Sequence, residues 1–152
     1  MKHARVTAAA ASLAAAVVVG GVGAASVSAS AGVAALRFYE KPGTAHVIDN
    51  APKGKKAGLG DFVLYASPVF DRHGKQVGTD HAVCIILSAA QSQCDSTLLL
   101  PKGQLLTRGI FGKNAGSQVA VIGGTGAYAA ARGTMTMRPI KDGGSTLLIN
   151  LV

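Results

Sequence analysis

From residue 35 onward, turn-forming residues break the chain at short and regular intervals. KPG follows ALRFYE (35–40), and NAPKGKKAGLG follows HVID (46–49), a continuation of the first run. DRHGK follows DFVLYASPVF (61–70), and PKG follows QCDSTLLL (93–100). GKNAG follows QLLTRGIF (104–111), and KDGG separates TMTMRPI (134–140) from STLLINL (145–151). QVGTDHAVCIILSA (76–89) and QVAVI (118–122) complete the set. Such β-branched or leucine-rich runs, punctuated roughly every 8 to 14 residues, predict an antiparallel sandwich or barrel. About eight strands result, the count at which a closed barrel fills its interior or holds one small ligand. AYAAAR (127–132) has room for one helical turn and no more.

The two cysteines test this reading. Cys84 and Cys94 lie symmetrically about Ala89, inside SAAQS. In a hairpin folded there they face each other, and opposed antiparallel positions bring Cα atoms to roughly 4.5 to 5.5 Å. That distance suits a disulfide. The spacing predicts a Cys84–Cys94 bond, with two buried thiols as the alternative. The closed loop is short, so the entropic gain is about 2 to 3 kcal/mol at best. Zinc needs clustered His or Cys partners; the histidines are dispersed, and no metal or other cofactor is expected.

The N-terminus has a different character. Lys2 and Arg5 precede an uncharged Ala/Val/Gly run to about Ala25, followed by small residues ending in Ala29-Ser30-Ala31. Positive start, apolar middle and small-residue end make a secretory signal peptide. Cleavage is expected after Ala31, with Ala29 as the second site. A membrane anchor is the rival, but Gly20-Gly21 interrupts the run and no basic stop follows at once. The expectation is residues 1–31 as signal and residues 32–152 as one secreted domain, with no membrane association after cleavage. Of 15 basic residues, Lys2 and Arg5 would be lost, leaving 13 against 7 acidic residues, a net +6. The basic residues are scattered apart from the KGKK cluster (53–56), and aromatics are few. No stacking platform for bases is visible, so nucleic acid is not expected as a partner.

VIGGTGAYAAARG (121–133) invites a nucleotide-loop reading. A phosphate-binding loop ends in Lys followed by Ser or Thr, and a dinucleotide fingerprint needs GxGxxG within a βαβ unit. Neither is present. Gly123, Gly124, Gly126 and Gly133 read instead as a tight corner between strands, where glycine tolerates positive φ or close backbone approach. Tyr128 is expected to pack over this corner and Arg132 to hydrogen-bond its carbonyls.

At these residues the chain resembles a known superfamily. VIGGTGAYAAARG looks like the GGTGxFxxARG signature of dirigent proteins and, more distantly, the GGSGxF…G segment of allene oxide cyclases. GDFVLYASPVFDRHGKQVGTDHAVCIIL (60–87) is similar to the cyclases' GDxVPFxNKxYD…GxxxGxC segment. The likeness runs from about Leu36 to Val152 and points to secreted bacterial members. It implies an all-β, eight-stranded antiparallel calycin-like barrel with a lumen open at one end. Members include stereo-directing proteins, oxylipin cyclases and pericyclic cyclases, and they often assemble as dimers or trimers, so the resemblance also implies a homo-oligomer. Tyr39-Glu40 resembles the cyclase YE pair, whose neighbourhood holds a catalytic glutamate. The following KPGT lacks the second acidic residue. Leu64 and Ser67 fall where the cyclase pattern has proline and a pocket asparagine. These departures speak against allene oxide cyclase activity.

Strand alternation puts Asp80, Ala82, Cys84 and Ile86 on one face. With Cys84 opposite Cys94, Ser96 and Leu98 share it. A PKG hairpin centred on Lys102 adds Arg108, opposite Ser96. Asp80 and Arg108 then form a charged pair, with Tyr65 as a third member. Inside a lumen such charges need a partner or water, which makes Tyr65, Asp80 and Arg108 the ligand-binding candidates. A surface salt bridge is the alternative, because the other face (His81, Val83, Ile85, Leu87, Asp95, Thr97, Phe111) is at least as apolar. Glu40 and Tyr65 are the catalytic candidates. His46, His73 and His81 have no evident Ser or Cys nucleophile, so no hydrolase triad is read.

Three functions fit. One is a secreted barrel that binds or stereo-directs a small, mostly apolar molecule by preorganisation. Another is an isomerase or cyclase with a perturbed carboxylate or tyrosine facing the pocket. The third is a structural barrel with a filled core. Lumen volume separates the first from the third.

Overall fold

A computed structural model describes residues 34–50, 58–112 and 116–152. The expected signal segment, its cleavage sites and the KGKK cluster lie outside the described residues.

Among the described residues nine strands follow one another: β1 (Ala34–Glu40), β2 (Thr44–Ile48), β3 (Phe62–Phe70), β4 (Gln76–Ile86), β5 (Gln91–Leu100), β6 (Gly103–Gly112), β7 (Ser117–Gly124), β8 (Gly133–Pro139) and β9 (Ser145–Leu151). From β3 to β9 each pairs antiparallel with the next, and β9 pairs with β1. Closure comes at β3. Tyr39 and Glu40 of β1 pair with Phe70 and Val69, and β2 then takes over the same edge, from Thr44 opposite Ala66 to Ile48 opposite Phe62. β1 and β2 are therefore one broken stave, and the closed antiparallel barrel has eight. The break at Lys41-Pro42-Gly43 has a local cause. Pro42 has no N–H for a ladder, and a Cβ on Gly43 would lie 1.9 Å from the Ala66 carbonyl oxygen. The pairing register moves by one residue across the break, as at a β-bulge.

Cys84 faces Cys94 in register, and the two form a disulfide. The next hairpin corrects the expected register. Leu100 pairs with Gly103, so the turn holds two residues, Pro101 and Lys102, and is not centred on Lys102. Ser96 therefore faces Thr107, and Arg108 faces Asp95. A slip of one residue exchanges the two faces of a strand. Arg108 thus points outward, and Phe111 points inward.

Inward-facing side chains divide the barrel into two halves. In one, Val69, Leu98, Leu105, Met135, Leu147 and Ile149 pack into a core that solvent scarcely reaches. Each such side chain contributes about 1.5 to 3 kcal/mol by burial. The glycine corner caps this half. A single 3-10 turn, Gly126–Tyr128, sits against the β5–β6 hairpin, where Ala127 N–H donates to the Lys102 carbonyl (2.8 Å) and Thr125 N–H to that of Gln104 (2.9 Å). Gly126 has φ 58°, and a Cβ there would lie 2.4 Å from the Lys102 oxygen. Arg132 Nη1 donates to the Ala131 carbonyl at 2.7 Å, while Ala131 and Tyr128 pack on the core. The other half of the barrel is not filled.

Candidate active site in the open half of the lumen

A cavity of about 430 Å³ occupies the open half. Tyr65, Ala82, Phe111, Met137 and the Cys84–Cys94 sulfurs form much of its wall, beside the β1–β2 break and the β8–β9 turn. Polar groups from adjacent staves form a belt where the cavity meets the core. Glu40 comes from β1, Ser67 from β3, Asp80 from β4 and Ser96 from β5, and all four line the cavity. Thr107 on β6 extends the belt, directly opposite Ser96. The barrel's closure brings Glu40 to it. Glu40 pairs with Val69, two residues from Ser67, and Ser67 pairs with Asp80. The Ser96 hydroxyl donates to Asp80 Oδ1.

Both carboxyls are perturbed. Burial, reinforced by the neighbouring Asp80 charge and opposed by the Ser67 hydroxyl, raises the pKa of Glu40 to about 7. Burial also raises Asp80, against the hydrogen bond from Ser96 and the charge of His81. Two coupled carboxyls in a desolvated site resist double ionisation. The pair can thus hold or release a proton near neutral pH, as a general acid or base requires. Among the described residues no cationic side chain forms an ion pair with either. Lys41 borders the cavity, but its Nζ lies over the Phe70 ring, 4.4 Å from the centroid.

The structure brings Glu40, Tyr65 and Asp80 to one cavity, with Tyr65 opposite Ala82 on the wall. It does not bring Arg108. That guanidinium lies outside the barrel, 61% exposed, in a two-pronged pair with Asp95, its Nη2 2.9 Å from Oδ2. The expected Asp80–Arg108 lumen pair is therefore corrected to an outer-face Asp95–Arg108 pair. None of Gly123, Gly124, Gly126, Tyr128, Arg132 or Gly133 lines the cavity. The sequence reading gave no role to Ser67, Ser96 or Thr107. Ser96 was legible as a neighbour of Asp80 from the cysteine register. Thr107 and Phe111 needed the true length of the Pro101 turn. Among the described residues no three His, Cys, Asp or Glu side chains group to hold a metal ion.

Known structures share this architecture. Pyocyanin demethylase is 22% identical and superposes with a TM-score of 0.68 over 78% of this chain and 100% of its own. The pterocarpan synthase dirigent protein PsPTS1 is 18% identical, with a TM-score of 0.62 over 80% of this chain and 94% of its own. The Diels Alderase AbmU from Streptomyces koyangensis is 18% identical, with a TM-score of 0.60 over 82% and 70%. At these identities the likeness shows the fold alone. No curated protein matches the sequence. Residues 43–151 match the family described as allene oxide cyclase barrel like domain, and the chain belongs to that family.

Proposed function

We propose that this barrel holds a small, mostly apolar organic molecule in its lumen and directs its chemistry by orientation. The observation that carries this reading is the cavity, apolar on its walls and bearing two buried, electrostatically coupled carboxyls where it meets the core. Its volume is in the range of small-molecule sites, and a wholly filled interior does not fit it. The structural relatives bear the names of a demethylase, a pterocarpan synthase and a Diels Alderase, all chemistries of small organic molecules. Holding a reactant in one geometry lowers a barrier without an acid or base. No redox or metal centre is assigned. Secretion belongs to the same reading, supported by the N-terminal residue order and by a disulfide that suits an oxidising compartment. Assembly as a dimer or trimer rests on the family resemblance.

Native mass spectrometry of the protein from its own producer tests the reading. The expected result is an added small-molecule mass, released on denaturation and missing in the lumen-filling variant Ala82→Phe. An empty wild-type protein that also binds no apolar probe would contradict it.

A second reading, an isomerase or cyclase, is favoured by the Glu40 carboxyl, whose pKa of about 7 suits proton transfer at neutral pH. It expects turnover to vanish in Glu40→Gln or Asp80→Asn while the ligand still binds. Turnover that survives in both variants would leave orientation as the only mechanism.

A further inference from the structure

The cavity is acidic inside a basic protein. The chain carries a formal charge of +8, yet the charged groups turned into the cavity are Glu40 and Asp80. Among the described residues, the basic side chain bordering the cavity, Lys41, lies over the Phe70 ring, and Arg108 pairs with Asp95 on the outer face. The two carboxyls also have hydrogen-bonding capacity to spare. A carboxylate offers about four acceptor sites; Ser96 uses one on Asp80 and Ser67 one on Glu40. Next to Ser96, Thr107 is 1% exposed on the inward face, and its Oγ1 has no hydrogen-bond partner among the described residues. The belt is built with unused polar groups.

This arrangement ranks ligands by charge. A wholly apolar molecule seated on the belt would remove water from the carboxyls and return nothing, which is costly. An anion would add repulsion. A cationic N–H donor satisfies the acceptors and the charge together, through charge-assisted hydrogen bonds that strengthen as water is excluded.

We infer that the ligand is a small organic cation, an apolar body with one protonated nitrogen that donates to the Glu40 and Asp80 carboxylates. This rests on the lumen-binding reading above. The apolar body lies against Tyr65, Phe111 and Met137. Binding then depends on pH through groups that neighbour one another along the belt. Glu40 is faced by Asp80 from β4 and Ser67 from β3. Asp80 is faced by Ser67 and Tyr65 from β3 and Ser96 from β5, with His81 beside it on β4. Ionisation of Glu40 as pH rises through about 7 strengthens cation binding.

Calorimetric titration with three probes of one shape tests the inference: 4-tert-butylbenzylamine, 4-tert-butylbenzyl alcohol and 4-tert-butylbenzoate. Near pH 8 the amine should bind about tenfold or more tightly than the alcohol, a difference of about 1.4 kcal/mol, and the benzoate weakest of all. The amine's advantage should shrink near pH 5.5 and vanish in Glu40→Gln/Asp80→Asn. If that double variant does not fold, the single variant Glu40→Gln should still reduce the advantage. Equal binding of amine and alcohol, or an amine advantage unchanged by these substitutions, would overturn the cation while leaving lumen binding intact. Failure of all three probes to bind would overturn the lumen reading with it.

Discussion

The two halves of this barrel use the same strands for opposite ends. Along β5, Leu98 and Leu100 are buried in the packed half, while Ser92, Cys94 and Ser96 line the cavity of the other. Along β8, Met135 is buried in the core, and Met137, two residues on, packs against that core while lining the cavity. The packed half holds the cylinder together by excluding water. The open half gives up that packing, keeps a disulfide across its wall and buries two carboxyls. Close packing and the open cavity are thus separated along the barrel axis, within single strands.

Core truncation should break the comparison most visibly. Leu98→Ala in the packed half should cost about 2 to 5 kcal/mol, and Met137→Ala, whose half-buried side chain borders the cavity, should cost less. Urea denaturation measures both, and equal costs would erase the distinction between the halves. The disulfide comes next. Replacing Cys84 and Cys94 with serine should cost about 2 to 3 kcal/mol, the value for a short closed loop. Reduction of the wild-type protein should reproduce that loss.

The acid pair sharpens the comparison through pH. Glu40 has a folded pKa of about 7 against an ordinary 4.5, so the folded state holds more protons between those values. The resulting stability is complete below about 4.5 and is lost as pH rises through 7. Glu40→Gln should therefore be more stable than wild type by about 2 to 3 kcal/mol near pH 8, with the advantage gone below about pH 4.5. Stability measured across this range in both proteins checks the sign. The smallest effect belongs to the outer surface. Arg108→Ala should leave stability nearly unchanged, as loss of an exposed ion pair does, and should leave lumen binding unchanged.

Much of the fold was legible because local signals set it. Strands fall between turn residues, and the symmetric placement of Cys84 and Cys94 about Ala89 fixes the β4–β5 register. The site was legible only in part. Pro101-Lys102-Gly103 fits a turn centred on Lys102 as well as a two-residue turn with Gly103 already in β6, and that single-residue ambiguity decided whether Arg108 or Phe111 faced the lumen. Asp80 and Tyr65 were placed by alternation on strands whose partners are near in sequence. Glu40 was reached through family resemblance. Its meeting with Asp80 depends on β1 closing against β3, a long-range contact that no local pattern encodes, and Ser67 became meaningful only through that closure.

Glu40 and Asp80 share one desolvated cavity, and their coupling is open to measurement. Carbon-13 NMR titration of their carboxyl carbons tests it most directly. Glu40 should titrate near 7, and in Asp80→Asn its midpoint should fall yet stay above the ordinary glutamate value, because burial outweighs the neighbouring charge. Ordinary midpoints for both residues, with no response of Glu40 to the loss of Asp80, would contradict the account.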